Sequence, residues 1–253
     1  ARMRYKASPD FLARLEDYVG HVERQRFVAE DLWVSGRLVP SWLLEELYLK
    51  HRGKPVTERV RLVLRETEQR IGIQYHYDLT PEDRKALRAG IRGMVNESSL
   101  RETYRGFFDW IGRPELFRLA SRGRLEYADV FPMIYLKMRL FGIESRWRNV
   151  KHLLIDEMQD YTPVQYAVIA RLFRCNKTIL GDANQSVNPY SASTSEEIRR
   201  VFREATCMTL NKSYRSSYQI TRFAQRILPD PDLVAIKRHG PEPEVLAAKS
   251  RTA

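Results

Sequence analysis

Asp156 and Glu157 stand side by side at the end of an apolar run, Leu153-Leu154-Ile155, and Gln159 and Asp160 follow directly after Met158. A carboxylate at the tip of a strand can hold Mg²⁺, because that ion takes hard oxygen ligands and keeps several of its waters. A second carboxylate beside it can position and deprotonate an attacking water. A similar run, Lys177 to Asp182, ends in Gly181-Asp182, with Gln185 close behind. An amide there can sense a terminal phosphate by hydrogen bonding. A third, Cys207 to Ser216, ends in Tyr214-Arg215, and a guanidinium can neutralise charge on a transferred phosphoryl group. Taken singly, an Asp-Glu pair is an ordinary solvated turn, Gly181-Asp182 a strand-ending turn and Arg215 a surface arginine. Their order and their common place at strand ends point together to nucleotide hydrolysis.

The elements that must position these groups alternate. Val150–Glu157 predicts a strand buried on both faces, Pro163–Phe173 a helix, Lys177–Asp182 a second buried strand, Ser195–Phe202 a helix, Cys207–Ser216 a third strand and Tyr218–Leu228 a last helix. Strand–helix alternation predicts a parallel α/β sheet, and ligands of open parallel sheets bind beyond the carboxyl ends of the strands. From Pro229 onward, proline and charge predict a linker or frayed tail.

Ahead of this region the pattern is helical. Ser8-Pro9 reads as an N-cap followed by proline at the first helical position, and Phe11, Leu12, Leu15, Tyr18, Val19 and Val22 then share one face. Leu32–Val39 predicts a hairpin turning at Ser35-Gly36. Helices are predicted over Pro40–His51, Thr57–Ile71, Pro81–Val95, Ser98–Ile111 and Tyr127–Phe141. Trp33, Trp42, Trp110 and Trp147 are read as core residues rather than base-stacking platforms.

Among the 253 residues, 43 Lys and Arg against 32 Asp and Glu give a net charge of +11, which suits a polyanionic partner. No apolar run is long enough to span a bilayer, and no signal-peptide core is present, so no membrane partner is expected. Cys175 and Cys207 have no metal-ligand spacing, which points to a reducing, cytoplasmic setting. The histidines show no metal spacing either. The first residue is Ala1, which reads as a cut from a longer protein.

These residues resemble a known family. "LLIDEMQD" resembles the Walker B-type motif II of superfamily 1 helicases of the UvrD/Rep type, "ILGDANQSV" resembles their motif III, "LNKSYRSS" resembles motif IV, and "LEYADV" (Leu125–Val130) resembles the segment before motif II. The specific resemblance covers about Leu125 to Leu228, and "YLKMRLFGI" with "KSYRS" suggests the helicase IV / HelD branch. The resemblance implies a partial RecA-like P-loop NTPase sheet with a large, mostly helical inserted subdomain. Residues 1–145 would be that insertion (a 1B-like subdomain or a HelD-type arm), 146–210 the second half of the first motor domain, and 211–253 the start of the second motor domain with a tail.

By position, Asp156 would coordinate Mg²⁺ and Glu157 would be the catalytic base. Gln159, Asp160 and Asp182 would support the site, Gln185 would contact the γ-phosphate of ATP, Tyr214 would stack near the adenine, and Arg215 would be an arginine finger. Tyr190 falls where the family stacks an aromatic on single-stranded DNA, and it reads equally as a loop tyrosine packed on a neighbour. The implied activity is ATP hydrolysis coupled to movement on single-stranded or partly duplex DNA. The alternatives are a HelD-type ATPase acting on RNA polymerase, with the helical half as a protein-binding arm, and a nucleic-acid-binding module with a relict site. The chain departs from the family pattern: Met158 replaces an alanine, "VNPYSAS" lacks the usual arginine–tryptophan pairing, and Gly53-Lys54-Pro55 is not a phosphate-binding loop. The 253 residues alone are therefore expected to hydrolyse little or no ATP.

Overall fold

The computed structural model describes residues 2–96, 98–143, 147, 149–182, 185 and 194–246, arranged in two units, 1–204 and 205–253. The first unit opens with a short helix α1 (Arg2–Lys6) and α2 (Pro9–Gln25). Ser8 caps α2 by accepting from the Phe11 amide at 3.2 Å, as its place before proline predicts. β1 (Leu32–Val34) and β2 (Arg37–Val39) form an antiparallel hairpin in the predicted place. Its two turn residues, Ser35 and Gly36, both have positive φ, 46° and 73°, the geometry whose twist matches the flanking strands.

Helices α3 (Ser41–Lys50), α4 (Val56–Tyr75) and α5 (Pro81–Gly93) close over the hairpin. Phe27, Val34, Val39, Leu44, Leu47, Val63, Leu87 and Ile91 form their shared core. Thr80 and Asp83 make a reciprocal capping box at the start of α5, and Asp83 also accepts from Ser35 and from the Tyr77 hydroxyl.

A second core joins α2 to α6 (Leu100–Trp110), α7 (Tyr127–Leu140) and α8 (Pro163–Leu172) through Phe11, Leu15, Tyr104, Phe107, Phe108, Tyr135, Leu136 and Val164. Lys6 and Tyr104 both donate to the fully buried Asp129 of α7, which ties α1 to this core. Asp129 lies in the Leu125–Val130 segment that precedes the Asp156-Glu157 strand.

That strand is β3 (His152–Ile155). It pairs in parallel with β4 (Asn176–Ile179), His152 opposite Asn176 and Ile155 opposite Ile179. α8 makes the crossover between them, and α9 (Ser195–Val201) packs beside it. Ile155, Tyr166 and Ile198 form a third, small core on one side of the pair. The expectation of strands buried on both faces is corrected here: Ile155 is buried, but Leu154 on the opposite face is 63% exposed, because the described elements cover one face only.

In the second unit, β5 (Lys212–Ser213) is much shorter than the Cys207–Ser216 strand expected. It pairs in parallel not with β3 or β4 but with β6 (Val234–Ala235), in a separate two-stranded sheet. The stretch after Pro229, read as a linker, instead folds back on α10 (Tyr218–Ile227). The Tyr218 amide donates to Arg238 O at 2.8 Å, the Gly240 amide to Gln219 Oε1 at 3.0 Å, and Gln225 Nε2 to Leu233 O at 2.8 Å. Side-chain amides of α10 satisfy that backbone, which proline and charge counts could not reveal.

The tryptophans are also corrected. Trp33, Trp42, Trp110 and Trp147 are 64%, 63%, 39% and 54% exposed. Leu, Phe and Tyr fill the cores instead, and Trp110 and Trp147 lie over Tyr18 and Phe173 as partial lids. The overall class is mixed α/β with small parallel sheets. Among the described residues, no helix is long and apolar enough to cross a membrane.

Candidate functional site

β3 and β4 end level with each other, so the residues after Ile155 and after Ile179 emerge at the same edge of the pair. The Leu180 amide donates to Ile155 O at 2.8 Å and the Met158 amide donates to Leu180 O at 2.8 Å, which laces the two exits together beyond the strands. Tyr166, fully buried on α8, donates its hydroxyl to Met158 O at 2.8 Å. Burial pushes the pKa of that phenol well above its usual value, so it stays a donor across the physiological range.

On this frame Asp156 and Glu157 are both exposed. Asp156 Oδ1 accepts from the Glu157 amide at 2.8 Å, which restrains the carboxylate. Glu157 takes a left-handed conformation, φ 52° and ψ 55°. For a residue other than glycine this costs about 1 kcal/mol and tends to occur at functional sites. It breaks the strand direction at once and starts a single 3-10 turn, Met158–Asp160. Asp160, at the end of that turn, is exposed, and its amide donates to Glu157 O at 2.9 Å.

Gln159 is the buried member of the group, 4% exposed. Its Nε2 donates to Glu157 Oε2 at 2.7 Å and its Oε1 accepts from the Asp182 amide at 3.2 Å. Asp182 Oδ2 in turn accepts from Gln185 Nε2 at 3.0 Å. A continuous line of hydrogen bonds therefore runs from Glu157 through Gln159 and Asp182 to Gln185. Gly181 makes this possible: a Cβ there would lie 2.5 Å from Met158 N and 2.6 Å from Gln159 Oε1.

The structure thus brings Asp156, Glu157, Gln159, Asp160, Asp182 and Gln185 to one edge of one strand pair. Tyr190 lies outside the described residues. Tyr214 and Arg215 belong to the second unit, where Tyr214 is 68% exposed and Arg215 O accepts from the Arg238 guanidinium. The expectation that one sheet presents all three strand tips is corrected by the separate pairing of β5 with β6. The packing demand on Gly181 and the hydroxyl of Tyr166 are features of the site that sequence reading missed. A glycine between an apolar run and an aspartate was the available signal.

Among the described residues, no group of three or more His, Cys, Asp and Glu side chains could enclose a metal.

Comparison with known proteins shows what the chain is similar to. Residues 81–205 match the UvrD/REP helicase N-terminal domain. The match begins at the first residue of α5, well inside the helical region, and ends at the boundary between the two units. The chain is 33% identical over 86 residues to the ATP-dependent DNA helicase srs2 of Schizosaccharomyces pombe, covering 32% of this chain and 10% of that protein. It is 31% identical over 80 residues to the ATP-dependent DNA helicase UvrD2 of Mycobacterium bovis, covering 30% of this chain and 11% of the relative. It is 30% identical over 118 residues to the ATP-dependent DNA helicase Rep of Buchnera aphidicola, covering 44% of this chain and 18% of the relative. These alignments span between a tenth and a fifth of the relatives' lengths. Together the matches support a UvrD-type superfamily 1 helicase segment.

Proposed function

We propose that residues 146–204 are the hydrolytic edge of a RecA-like motor domain in an ATP-dependent DNA helicase or translocase. Glu157 is the base that takes a proton from the attacking water, and Asp156 is the carboxylate that holds Mg²⁺. The observation that carries this reading is the hydrogen-bonded line from Glu157 through Gln159 and Asp182 to Gln185. A solvated turn has no use for a buried amide joining two strand exits. Here the amide holds the carboxylate while the second strand's exit, with Gln185, is held to the same frame.

The bound Mg²⁺ would neutralise charge on the β- and γ-phosphates. The residues of this chain do the rest. Asp156 would hold the cation. Glu157 Oε1, the oxygen not engaged by Gln159, receives the water's proton. Gln185 Nε2 exchanges its bond to Asp182 for a γ-phosphate oxygen. Arg215, from the 211–253 segment proposed to begin the second motor domain, is proposed as the arginine finger, and Tyr214 as the residue that stacks near the adenine. Loss of the γ-phosphate frees Gln185 to return to Asp182. Through Gln159, that change is felt by both strand exits. Tyr190 is proposed to contact the DNA strand.

The helical residues 1–145 are proposed as an inserted subdomain of the same motor. The matched relatives bear the names of DNA helicases, which favours a DNA strand over RNA polymerase as the partner. The test is Glu157→Ala in the longer protein that carries a phosphate-binding loop. DNA-stimulated ATP hydrolysis should fall by about 10²- to 10⁴-fold, and unchanged hydrolysis refutes the assignment.

A further inference from the structure

At the opposite end of β3 and β4 from Asp156 and Gly181, the chain forms a concavity of about 890 Å³. Its walls are Gly53 and Pro55 between α3 and α4, Glu58 of α4, the end of α7, Trp147, Val150 and Lys151, and the passage from α8 into β4. Lys151 and Asn176 flank the starts of the two strands, so roughly 16 Å of strand separates this groove from the carboxylates.

Among the described residues, four cations line the groove: Arg139, Lys151, Arg171 and Arg174. Among the described residues, none of the four is in an ion pair. Among the described residues the lining carboxylate is Glu58, which is taken by Lys54 at 3.1 Å. Arg139 and Arg171 both lie over the ring of the buried Tyr135, with their guanidinium carbons 5.8 Å and 5.6 Å from its centre. Arg139 Nη1 also donates to the Tyr135 hydroxyl at 3.0 Å, and that hydroxyl donates to Glu16 at 2.9 Å. Two like charges thus sit beside one buried ring, which fixes part of their side-chain freedom. An anion bound near both would offset their repulsion. Trp147, 54% exposed, lies over Phe173 at 6.0 Å on the same rim. Two arginines beside a buried ring, a further lysine and arginine, and an exposed aromatic surface are the components of a single-strand nucleic-acid site.

We propose that this groove binds the phosphodiester backbone of single-stranded nucleic acid, with Arg139, Arg171, Arg174 and Lys151 on phosphates and Trp147 against a base. The site is separate from the proposed nucleotide site and does not depend on it. The exposed aromatic favours nucleic acid over an acidic protein segment, for which the tryptophan would have no particular use.

The experiment uses the 253-residue chain with fluorescent oligo(dT) and oligo(rU) of about 20 nucleotides, long enough to fill a site of ordinary size. Binding is measured by anisotropy across a salt series for the parent, for Arg171→Glu/Arg174→Glu, and for Arg84→Glu/Arg88→Glu. The last pair reverses the same charge on the exposed face of α5. The groove variant should lose about tenfold or more in affinity, and its salt slope should fall by about 1.4, the share of two phosphate contacts on a single strand. The α5 variant should change by less than about threefold, because it removes field but no contact. Trp147→Ala should lose about fivefold or more, and Trp147→Phe should recover most of that loss. Arg171→Gln/Arg174→Gln, which removes charge without adding acid, should show the same order of effect as the reversal if the fold is intact by circular dichroism. Stronger binding of oligo(dT) or of oligo(rU) tells DNA from RNA within the proposal. Equal losses in the groove and α5 variants, or binding of a poly-glutamate peptide with no binding of either oligonucleotide, overturn it.

Discussion

Gln159 and Asp182 are joined across two strand exits: the Asp182 amide donates to Gln159 Oε1 at 3.2 Å while the other end of the same side chain holds Glu157. The side chain is buried, so each of its polar atoms must find a partner inside the protein. It has two, one in each arm of the site. In the proposed site, Gln159 is thus a positioning residue for Glu157 rather than a group that meets the nucleotide.

In the longer protein, Gln159→Ala should therefore lower the turnover number for ATP by about 10- to 100-fold, in keeping with the cost of a misplaced catalytic group. KM should stay within about threefold of its original value. Steady-state hydrolysis over a range of ATP concentrations reads both. A rise in KM with unchanged turnover would place Gln159 in binding instead.

Gly181→Ala should destabilise the first unit. The new methyl would lie 2.5 Å from Met158 N, and backbone cannot yield as a flexible side chain would. The cost should be about 1–3 kcal/mol, as for other overpacked sites. Urea unfolding of the 253-residue chain followed by circular dichroism measures it. Gly93→Ala is the comparison, since a Cβ there meets nothing and α5 should gain slightly from alanine.

The capping carboxylate Asp83 makes the helical region acid-sensitive. Bonds from Ser35, then Tyr77, then the Thr80 amide hold its pKa well below the ordinary carboxylate value. A group depressed in the folded state adds stability that is fully present above its unfolded pKa, near 3.9, and is lost as pH falls below that. Glu102, held down by Ser99 at the start of α6, acts in the same direction. Thermal unfolding should thus be flat in these terms from neutral pH to about pH 5 and should move to lower temperature below about pH 4. Asp83→Asn should lower the midpoint at neutral pH and flatten the fall in acid.

The 253 residues alone should turn over ATP at no more than the uncatalysed background. Nothing in them has the glycine-rich loop whose amides and lysine cradle the phosphates, and Gly53-Lys54 runs into Pro55. A phosphate-release assay on the purified chain reads this directly, with Glu157→Ala as the contamination control.

Much of the architecture is visible in the residues. Capped helix starts such as Ser8-Pro9 and Thr80-Pro81, the Ser35-Gly36 turn and the Leu153–Ile155 run are local signals, and the chain obeys them because the physics is local. The pairing of β5 with β6 was not legible, because two-residue strands carry no periodicity and the stretch after Pro229 is ordered by Gln219 and Gln225, partners on a helix upstream. The exposure of Leu154 and of the four tryptophans was misjudged for a related reason: an apolar residue records what it could bury, not which neighbours are present. The acidic pair at the strand tip could be read in advance. Gln159 as the joint between Glu157 and Asp182 needed the register of β3 against β4. The groove at the far end needed the folded arrangement of α7, α8 and β4, since Arg139 and Arg171 are distant in sequence and meet only over Tyr135.

The central claim, that Glu157 takes the proton from water, is tested most directly by Glu157→Gln in the longer protein, with ATP binding and a single round of hydrolysis measured on the same preparation. The claim predicts a nucleotide affinity within about threefold of the original, because the isosteric amide can still pair with Gln159, and hydrolysis slower by about a hundredfold or more. Single-turnover hydrolysis at the original rate would contradict it.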